Sequence, residues 1–157
     1  MTTWFDQCFE KLIGHEGGYT PGKGDPGGET KFGVSKRSYP ALEISSLTLD
    51  DAKAIYMRDF WTPAGCDSVP TSIAFDLFDM AVNSGVSRAV KTLQRVAGTA
   101  EDGKIGPVTL AEVAQLDPVR AVARFNGVRL SFMVSLDVWP TFSRGWALRI
   151  SDNLMGA

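Results

Sequence analysis

From residue 48 to the C-terminus, the sequence is a succession of amphipathic helical patterns, each bounded by a capping residue, a proline or a glycine. Thr48 and Asp51 have the spacing of a capping box, which predicts a helix running to about Trp61. Glycines and prolines at the ends of the later patterns mark the places where helices stop or begin. Further helices are predicted over about 72–84, 87–97 and 107–115, then from residue 118 and after Pro140.

The N-terminal part combines one helical pattern with a long loop. Residues 3–15 are amphipathic, Thr3 and Asp6 form a candidate capping pair, and Gly17–Gly18 is predicted to end the helix. Residues 17–40 are rich in turn formers, and only the stretch "TKFGVS" favours a short hairpin. The sequence therefore predicts a mainly α fold of the α+β kind, with six to seven helices and at most one small β-hairpin.

Composition limits the classes of function. The chain has 157 residues, with 16 basic and 18 acidic side chains, so no global positive charge favours nucleic acid or anionic lipid. No stretch approaches the ~20 apolar residues of a membrane span, and no leader pattern is present, so we expect a soluble protein without membrane insertion. Cys8 and Cys66 are expected to be free thiols, and His15 is the only histidine. We predict no metal and no cofactor.

The stretch "HEGGYTPGKGDPGGET", residues 15–30, contains most of a phosphate-binding P-loop, from Gly17 to Lys23. A P-loop needs Ser or Thr after the lysine, a strand before the glycines and a helix after them. Here Gly24 follows Lys23, a helix precedes the glycines, and an Asp-Pro turn follows. The sequence therefore argues against nucleotide binding.

The same stretch carries carboxylates suited to glycoside cleavage, which needs one protonated acid and one ionised partner on opposite sides of the scissile bond. Glu16 adjoins an apolar helix, where shielding from water raises the pKa of a general acid. Asp25 lies in a glycine-rich turn that favours an ionised carboxylate. Glu29 is a competing acid, and a solvated surface position is the structural alternative for Glu16.

A family resemblance rests on these residues. The stretch "EGGYTPGKGDPGGETKFGVS" resembles the N-terminal signature of glycoside hydrolase family 108, whose members are phage and bacterial N-acetylmuramidases. Similarity continues in "FWTPAGCDSVP", "FDLFDMAVNSG" and "RGWALRI", over about residues 10–152. The segment from "LQRVAG" to "EDGKIGPVTL" is similar to the predicted peptidoglycan-binding part of that family.

The resemblance implies a single lysozyme-like domain, 1–157, with a catalytic lobe at 1–66 and a helical, peptidoglycan-binding-like lobe at 67–157. It implies that Glu16 is the general acid and that Asp25 and Thr30 are catalytic, the threonine by positioning the attacking water. In the wider phage-lysozyme pattern five residues separate the Asp and Thr positions. Only four, Pro26 to Glu29, separate Asp25 from Thr30.

Three further residues are candidates for substrate binding. The aromatic rings of Tyr19 and Phe32 flank the acids and are suited to packing on sugar rings. The alternative is that both pack beneath the loop. Asn83 is suited to bonding an N-acetyl group or Glu16, or else to bonding the backbone at its own helix end.

The sequence as a whole predicts a monomeric endolysin that hydrolyses the β-1,4 bond between N-acetylmuramic acid and N-acetylglucosamine in bacterial peptidoglycan. We expect synthesis in the host cytoplasm and action on the wall after the membrane is permeabilised. The alternatives are a lytic transglycosylase, which releases 1,6-anhydro products, and a non-catalytic wall-binding module.

Overall fold

The computed structural model describes residues 2–14, 18–22 and 28–156. The chain forms two compact units, Met1–Asp59 and Phe60–Ala157. Within the described residues there are seven α-helices and one two-stranded antiparallel sheet, which confirms the predicted mainly α fold with one small hairpin. In these ranges no helix is long and apolar enough to cross a membrane. The single domain with lobes at 1–66 and 67–157 stays a prediction.

The first helix, α1, spans Trp4–Ile13 and begins with the predicted capping pair. The Thr3 N–H donates to Asp6 Oδ2 at 2.8 Å, and the Asp6 N–H donates to Thr3 Oγ1 at 3.1 Å. The predicted end of the helix at Gly17–Gly18 is wrong. Gly14 already closes it, with a φ of 57° and its N–H donating to the Glu10 carbonyl, because glycine adopts positive φ without the Cβ penalty of other residues.

The hairpin and the second helix complete the first unit. Strands β1, Thr30–Lys31, and β2, Val34–Ser35, confirm the hairpin predicted from "TKFGVS", and a short 3₁₀ turn follows at Ile44–Ser46. Helix α2 spans Leu49–Tyr56 behind the predicted Thr48 capping box. The helical path continues to Trp61, as predicted, but its last part, Met57–Trp61, is a π-helical turn.

Helices α1 and α2 are joined by an ion pair and by ring packing. Lys53 Nζ lies 2.9 Å from Asp6 Oδ1, and the rings of Phe9 and Tyr56 meet edge to face at 5.3 Å between centroids. The rest of this small core is apolar and follows the helical spacing of both segments. Its buried members include Phe5, Cys8, Phe9, Val34, Ile44, Leu47, Ala52, Ile55 and Tyr56.

The second unit is helical apart from its connections and a 3₁₀ turn at Cys66–Ser68. Its helices are α3 Thr71–Ser84, α4 Val86–Ala97, α5 Pro107–Ala114, α6 Pro118–Val134 and α7 Trp139–Met155. The predicted starts of helices α3 to α6 agree closely with the observed ones. Helix α7 begins just before Pro140 rather than after it, because proline fits the first helical turn. Cys8 and Cys66 are both buried.

Helix α3 is buried on every side from residue 73 to residue 81 and packs against α4 and α6. Two of these buried residues are acids, Asp76 and Asp79. Asp79 Oδ2 accepts from Arg129 Nη1 of α6 at 2.6 Å, and its Oδ1 accepts from Arg149 Nη1 of α7 at 2.5 Å. Asn153 Nδ2 of α7 lies 3.1 Å from oxygens of both acids. We name this group the Asp79 cluster; sequence patterning did not predict it.

We expect Asp79→Asn to destabilise the protein by about 3–5 kcal/mol, because it leaves the fully buried Arg129 guanidinium without its counter-charge. Arg149→Gln removes the outer partner, whose side chain is 38% exposed, and is expected to cost under about 1 kcal/mol. Urea denaturation of both variants measures the difference. Equal losses of unfolding free energy in the two variants would contradict the conclusion that the buried Asp79–Arg129 pair matters more than the outer Arg149 contact.

The capping box of α1 should make stability depend on pH. Hydrogen bonds from Thr3, then the bond from Lys53, hold the pKa of Asp6 well below its ordinary value of 3.8. Since the folded state favours the ionised carboxylate, this stabilisation is present above pH 3.8 and is lost as pH falls through the lowered pKa. We expect Asp6→Asn to lower the unfolding temperature at neutral pH, with the gap from wild type closing in strong acid.

The matched control is Asp50→Asn, which removes an exposed carboxylate in the same unit that makes no side-chain hydrogen bond within the described residues. Its effect at neutral pH should be smaller. A gap between Asp6→Asn and wild type that stays constant from neutral pH to strong acid would contradict the role given to the Asp6 carboxylate.

Candidate active site

The candidate site is built on the loop that joins α1 to the hairpin. Two of its predicted catalytic residues, Glu16 and Asp25, lie outside the described residues, and so does His15. The structure describes the parts of the loop that flank them, 18–22 and 28–36. These flanks hold Tyr19, Thr30 and Phe32, whereas Asn83 lies in the second unit.

The two limbs of the loop run side by side. The Thr20 N–H donates to the Thr30 carbonyl at 2.8 Å, and the Thr30 N–H donates back to Thr20 at 3.0 Å. At Gly22, φ is 68°, and a Cβ there would overlap the backbone of Gly28 and Glu29. A glycine is therefore required at this crossing, and residues 22 and 28 are neighbours in space as well as the two ends of the segment that carries Asp25.

The hairpin turn is strained at a candidate binding residue. Phe32 has a φ of 50° and Gly33 a φ of 76°, the pair of positive φ angles found in type I′ turns, where Asn-Gly is the usual sequence. A bulky side chain at positive φ is costly, and such strain tends to be kept at functional sites. The ring of Phe32 is half-buried, with Lys31 Nζ 5.6 Å from its centroid.

The strained turn is held from two sides. Tyr56 Oη of α2 donates to the Phe32 carbonyl at 3.2 Å. Lysines of the hairpin reach the following segment, since Lys31 Nζ donates to the Ser45 carbonyl at 2.9 Å and Lys36 Nζ to the Leu42 carbonyl at 2.6 Å. These contacts fix the backbone that presents Phe32.

Tyr19 and Thr30 keep chemically available groups. The Tyr19 side chain is 43% exposed, so it does not pack fully beneath the loop. Thr30 is half-buried, and its backbone bonds to Thr20 while its strand pairs with Ser35. Its hydroxyl makes no hydrogen bond to any part of the chain that the structure describes, which leaves it able to bond a water or substrate.

Glu29, the competing acid of the sequence analysis, has an unusual environment. Its Oε2 is buried and makes no hydrogen bond to the described residues, while its backbone carbonyl accepts from the Lys36 N–H at 2.8 Å. Buried carboxylate oxygens are normally hydrogen-bonded, and an exception calls for an explanation such as a catalytic role. Sequence spacing alone gave no reason to prefer Glu29.

Asn83 ends α3 in the way predicted by the structural alternative. Its Nδ2 donates to the Asp79 carbonyl at 2.7 Å and to Asp79 Oδ1 at 3.2 Å. The amide nitrogen is thereby fixed to its own helix and to the Asp79 cluster. Among the described residues no donor bonds its Oδ1, so this exposed carbonyl is the group that remains to accept a hydrogen bond from an N-acetyl N–H.

The other titratable cluster of the first unit is internally satisfied. Tyr39 Oη donates to Asp59 Oδ2 at 2.8 Å, and burial, followed by this bond, raises the pKa of Tyr39 to about 12. The Arg58 guanidinium beside Asp59 lowers the pKa of that carboxyl. A neutral phenol and a paired carboxylate supply no general acid. Within the described ranges no group of three or more His, Cys, Asp or Glu is placed to hold a metal.

We expect Gly33→Ala to destabilise the protein, because a Cβ at this position would overlap Tyr56 Oη and the positive φ itself costs about 1–2 kcal/mol. In a Tyr56→Phe background the overlap with the hydroxyl is gone, so the same substitution should lower the free energy of unfolding only by the cost of the positive φ. Thermal and urea unfolding of the four proteins measure both losses. Equal losses in the two backgrounds would contradict the close contact.

Comparison with known proteins places this loop in a family. The family model of glycosyl hydrolase 108 matches residues 9–85, a range that spans most of α1, the glycine-rich loop, the hairpin, α2 and α3. The solved structure of Brucella abortus SagA matches with a TM-score of 0.84 and 31% sequence identity, over 96% of this chain and 91% of that one. No curated protein matches the chain. The chain therefore belongs to glycosyl hydrolase family 108.

Proposed function

We propose that this glycoside hydrolase is an N-acetylmuramidase, which cleaves the β-1,4 bond between N-acetylmuramic acid and N-acetylglucosamine in bacterial peptidoglycan. One observation carries the proposal. The acids of the glycine-rich loop lie within residues 9–85, the range that matches glycosyl hydrolase 108. The paired limbs of the loop and the strained Phe32 turn support it, because both maintain a costly backbone where a polymer must approach closely.

In this proposal Glu16 is the general acid. It donates its proton to the glycosidic oxygen as the bond to the anomeric carbon breaks, and the ring develops oxocarbenium character. Asp25 is the ionised partner, which activates the water or stabilises the positive charge. Thr30 positions that water through its hydroxyl, which has no hydrogen-bond partner within the described residues.

Glu29 is the second candidate for the ionised partner. Its Oε2 is buried and bonds no described residue, so this oxygen remains available to bond a water or a substrate hydroxyl. Glu29 directly precedes Thr30, the first residue of β1. The activities of the Asp25→Asn and Glu29→Gln variants distinguish the two acids.

The remaining candidate residues suit contacts with sugar. The exposed ring of Tyr19 and the half-buried ring of Phe32 offer flat apolar faces to pyranose rings, and the Asn83 carbonyl offers an acceptor to an N-acetyl group. We further propose that the protein acts as a monomer, is made in the host cytoplasm and reaches the wall as an endolysin after the membrane is permeabilised. The second unit is proposed to bind peptidoglycan.

Product analysis tests this function. Wild type and Glu16→Gln are incubated with purified peptidoglycan, and the released fragments are identified by mass spectrometry. We expect muramic acid reducing ends from wild type and a rate lower by at least ~10²-fold for Glu16→Gln, because an amide cannot supply the proton. The control, Glu10→Gln, changes an exposed glutamate of α1 and should keep the wild-type rate.

The products also separate the alternatives. Anhydro ends, lighter by one water, would identify a lytic transglycosylase and overturn hydrolysis. Wall binding without any release of fragments would identify a non-catalytic module. If Asp25 is the partner acid, Asp25→Asn should lose activity to a similar degree while Glu29→Gln keeps most of it, and the reverse result would assign the role to Glu29.

A further inference from the structure

A cavity of about 390 Å³ lies in the second unit, lined by α4, α6 and the connection before α5. Its volume is at the low end of the ~300–1,000 Å³ typical of small-molecule sites. Nothing in the catalytic proposal uses it. The side chains that give the cavity its chemistry are Arg88, Lys91 and Arg95 of α4, Glu101 of the connection, and Val128 and Phe132 of α6. We call it the α4 pocket.

The α4 pocket concentrates positive charge in a chain whose net charge is −2. Residues 88, 91 and 95 are spaced by three and four, so their side chains project from one face of α4. Against these three cations, the lining includes one carboxylate, that of Glu101. Cations gathered in a concave site raise the local concentration of anionic ligands.

Two of the cations are held in place by contacts. The Arg88 guanidinium lies 4.5 Å from the centroid of the Phe132 ring, an arrangement that leaves the N–H groups at its edge free to bond a carboxylate. Arg95 makes a two-bond ion pair with Glu101, at 2.8 and 2.9 Å. Lys91 forms no ion pair with any described residue, so its ammonium remains available to a ligand.

We infer that the α4 pocket binds the charged end of a peptidoglycan stem peptide, with a carboxylate on Arg88 and Lys91 and an ammonium group near Glu101. A ligand with both charges uses the whole lining, whereas a phosphate would bond only the cations and leave Glu101 without a ligand contact. The N-acetylated sugars of the glycan need no cationic site. An aliphatic side chain would contact Val128 and Phe132. The inference rests on the proposed peptidoglycan substrate and adds peptide recognition to it.

Binding of a synthetic peptide to the full chain tests the inference. The probe is L-alanyl-γ-D-glutamyl-meso-diaminopimelate, titrated calorimetrically beside the same peptide with its carboxylates amidated, and beside inorganic phosphate. We expect the free peptide to bind, and amidation to weaken binding by on the order of tenfold or more, since each lost charge-assisted bond is worth about one decade. Equal binding of the amidated peptide, phosphate binding as tight as the free peptide, or no peptide binding would each overturn the inference.

Variants locate the site. Arg88→Gln and Lys91→Gln should each weaken peptide binding by on the order of tenfold. The control Arg124→Gln removes an exposed arginine of α6 that does not line the pocket, and it should bind as wild type does. Unfolding temperatures verify that each variant is folded. Peptide affinity unchanged in both pocket variants would overturn the assignment to this cavity.

Hydrolysis supplies a separate readout. Lys91→Gln should raise KM on intact peptidoglycan without changing kcat, and should leave KM unchanged on glycan strands stripped of peptide. Peptide binding without any hydrolysis of wall material would overturn the proposed function and leave the peptide site standing. Hydrolysis by wild type without peptide binding would overturn the α4 pocket inference alone.

Discussion

The second unit depends on one buried ion pair, Asp79 with Arg129. Both side chains are almost wholly inaccessible, at 1% and 0% exposure, and their closest atoms are 2.6 Å apart. Removing charged groups from water costs several kcal/mol per ion, and only close pairing with further hydrogen bonds offsets this. Arg149 and Asn153 supply further bonds to Asp79, whereas Nε and Nη2 of Arg129 are buried and bond no described residue. A helix buried on all sides can therefore carry acids only if α6 and α7 bring their donors to the same turn.

The same acid also orients Asn83, a candidate binding residue one turn after Asp79 on α3. The Asn83 amide bonds both the backbone and the carboxylate of Asp79. Its orientation is thus set by the same acid that joins α3 to α6 and α7. The sequence offered two alternatives for this residue, substrate contact or helix-end bonding. The contacts show helix-end bonding through the amide nitrogen, and the substrate contact stays a prediction.

What the sequence could predict was local. Capping boxes at Thr3 and Thr48 were predictable because their donors and acceptors lie three residues apart, and the helix starts followed from them. The end of α1 was misplaced because Gly14 reaches positive φ before the Gly17–Gly18 pair. The Asp79 cluster could not be predicted from the sequence, since Asp79 and its partner Arg129 are fifty positions apart in the chain.

The candidate site divides in the same way. The candidate acids of the loop could be predicted from the neighbouring glycines and from a family pattern, because neither depends on tertiary contacts. The strain at Phe32 and the buried oxygen of Glu29 could not be predicted, because both depend on how the hairpin packs. Tyr56 lies twenty-four positions from Phe32, and only the fold brings its hydroxyl to that carbonyl. A sequence pattern can therefore name candidate acids but cannot choose between Asp25 and Glu29.

Net charge illustrates the same limit. The total of −2 counts every acid equally, yet several of these carboxylates are already engaged in hydrogen bonds within the chain. Asp6 and Asp51 cap helices, and Asp76 and Asp79 are buried in hydrogen bonds. The total therefore does not describe the charge at any one place, and at the α4 pocket a ligand meets mainly cations. A nearly neutral composition argues against a nucleic-acid surface, but it leaves room for a small cationic site matched to a single charged peptide end.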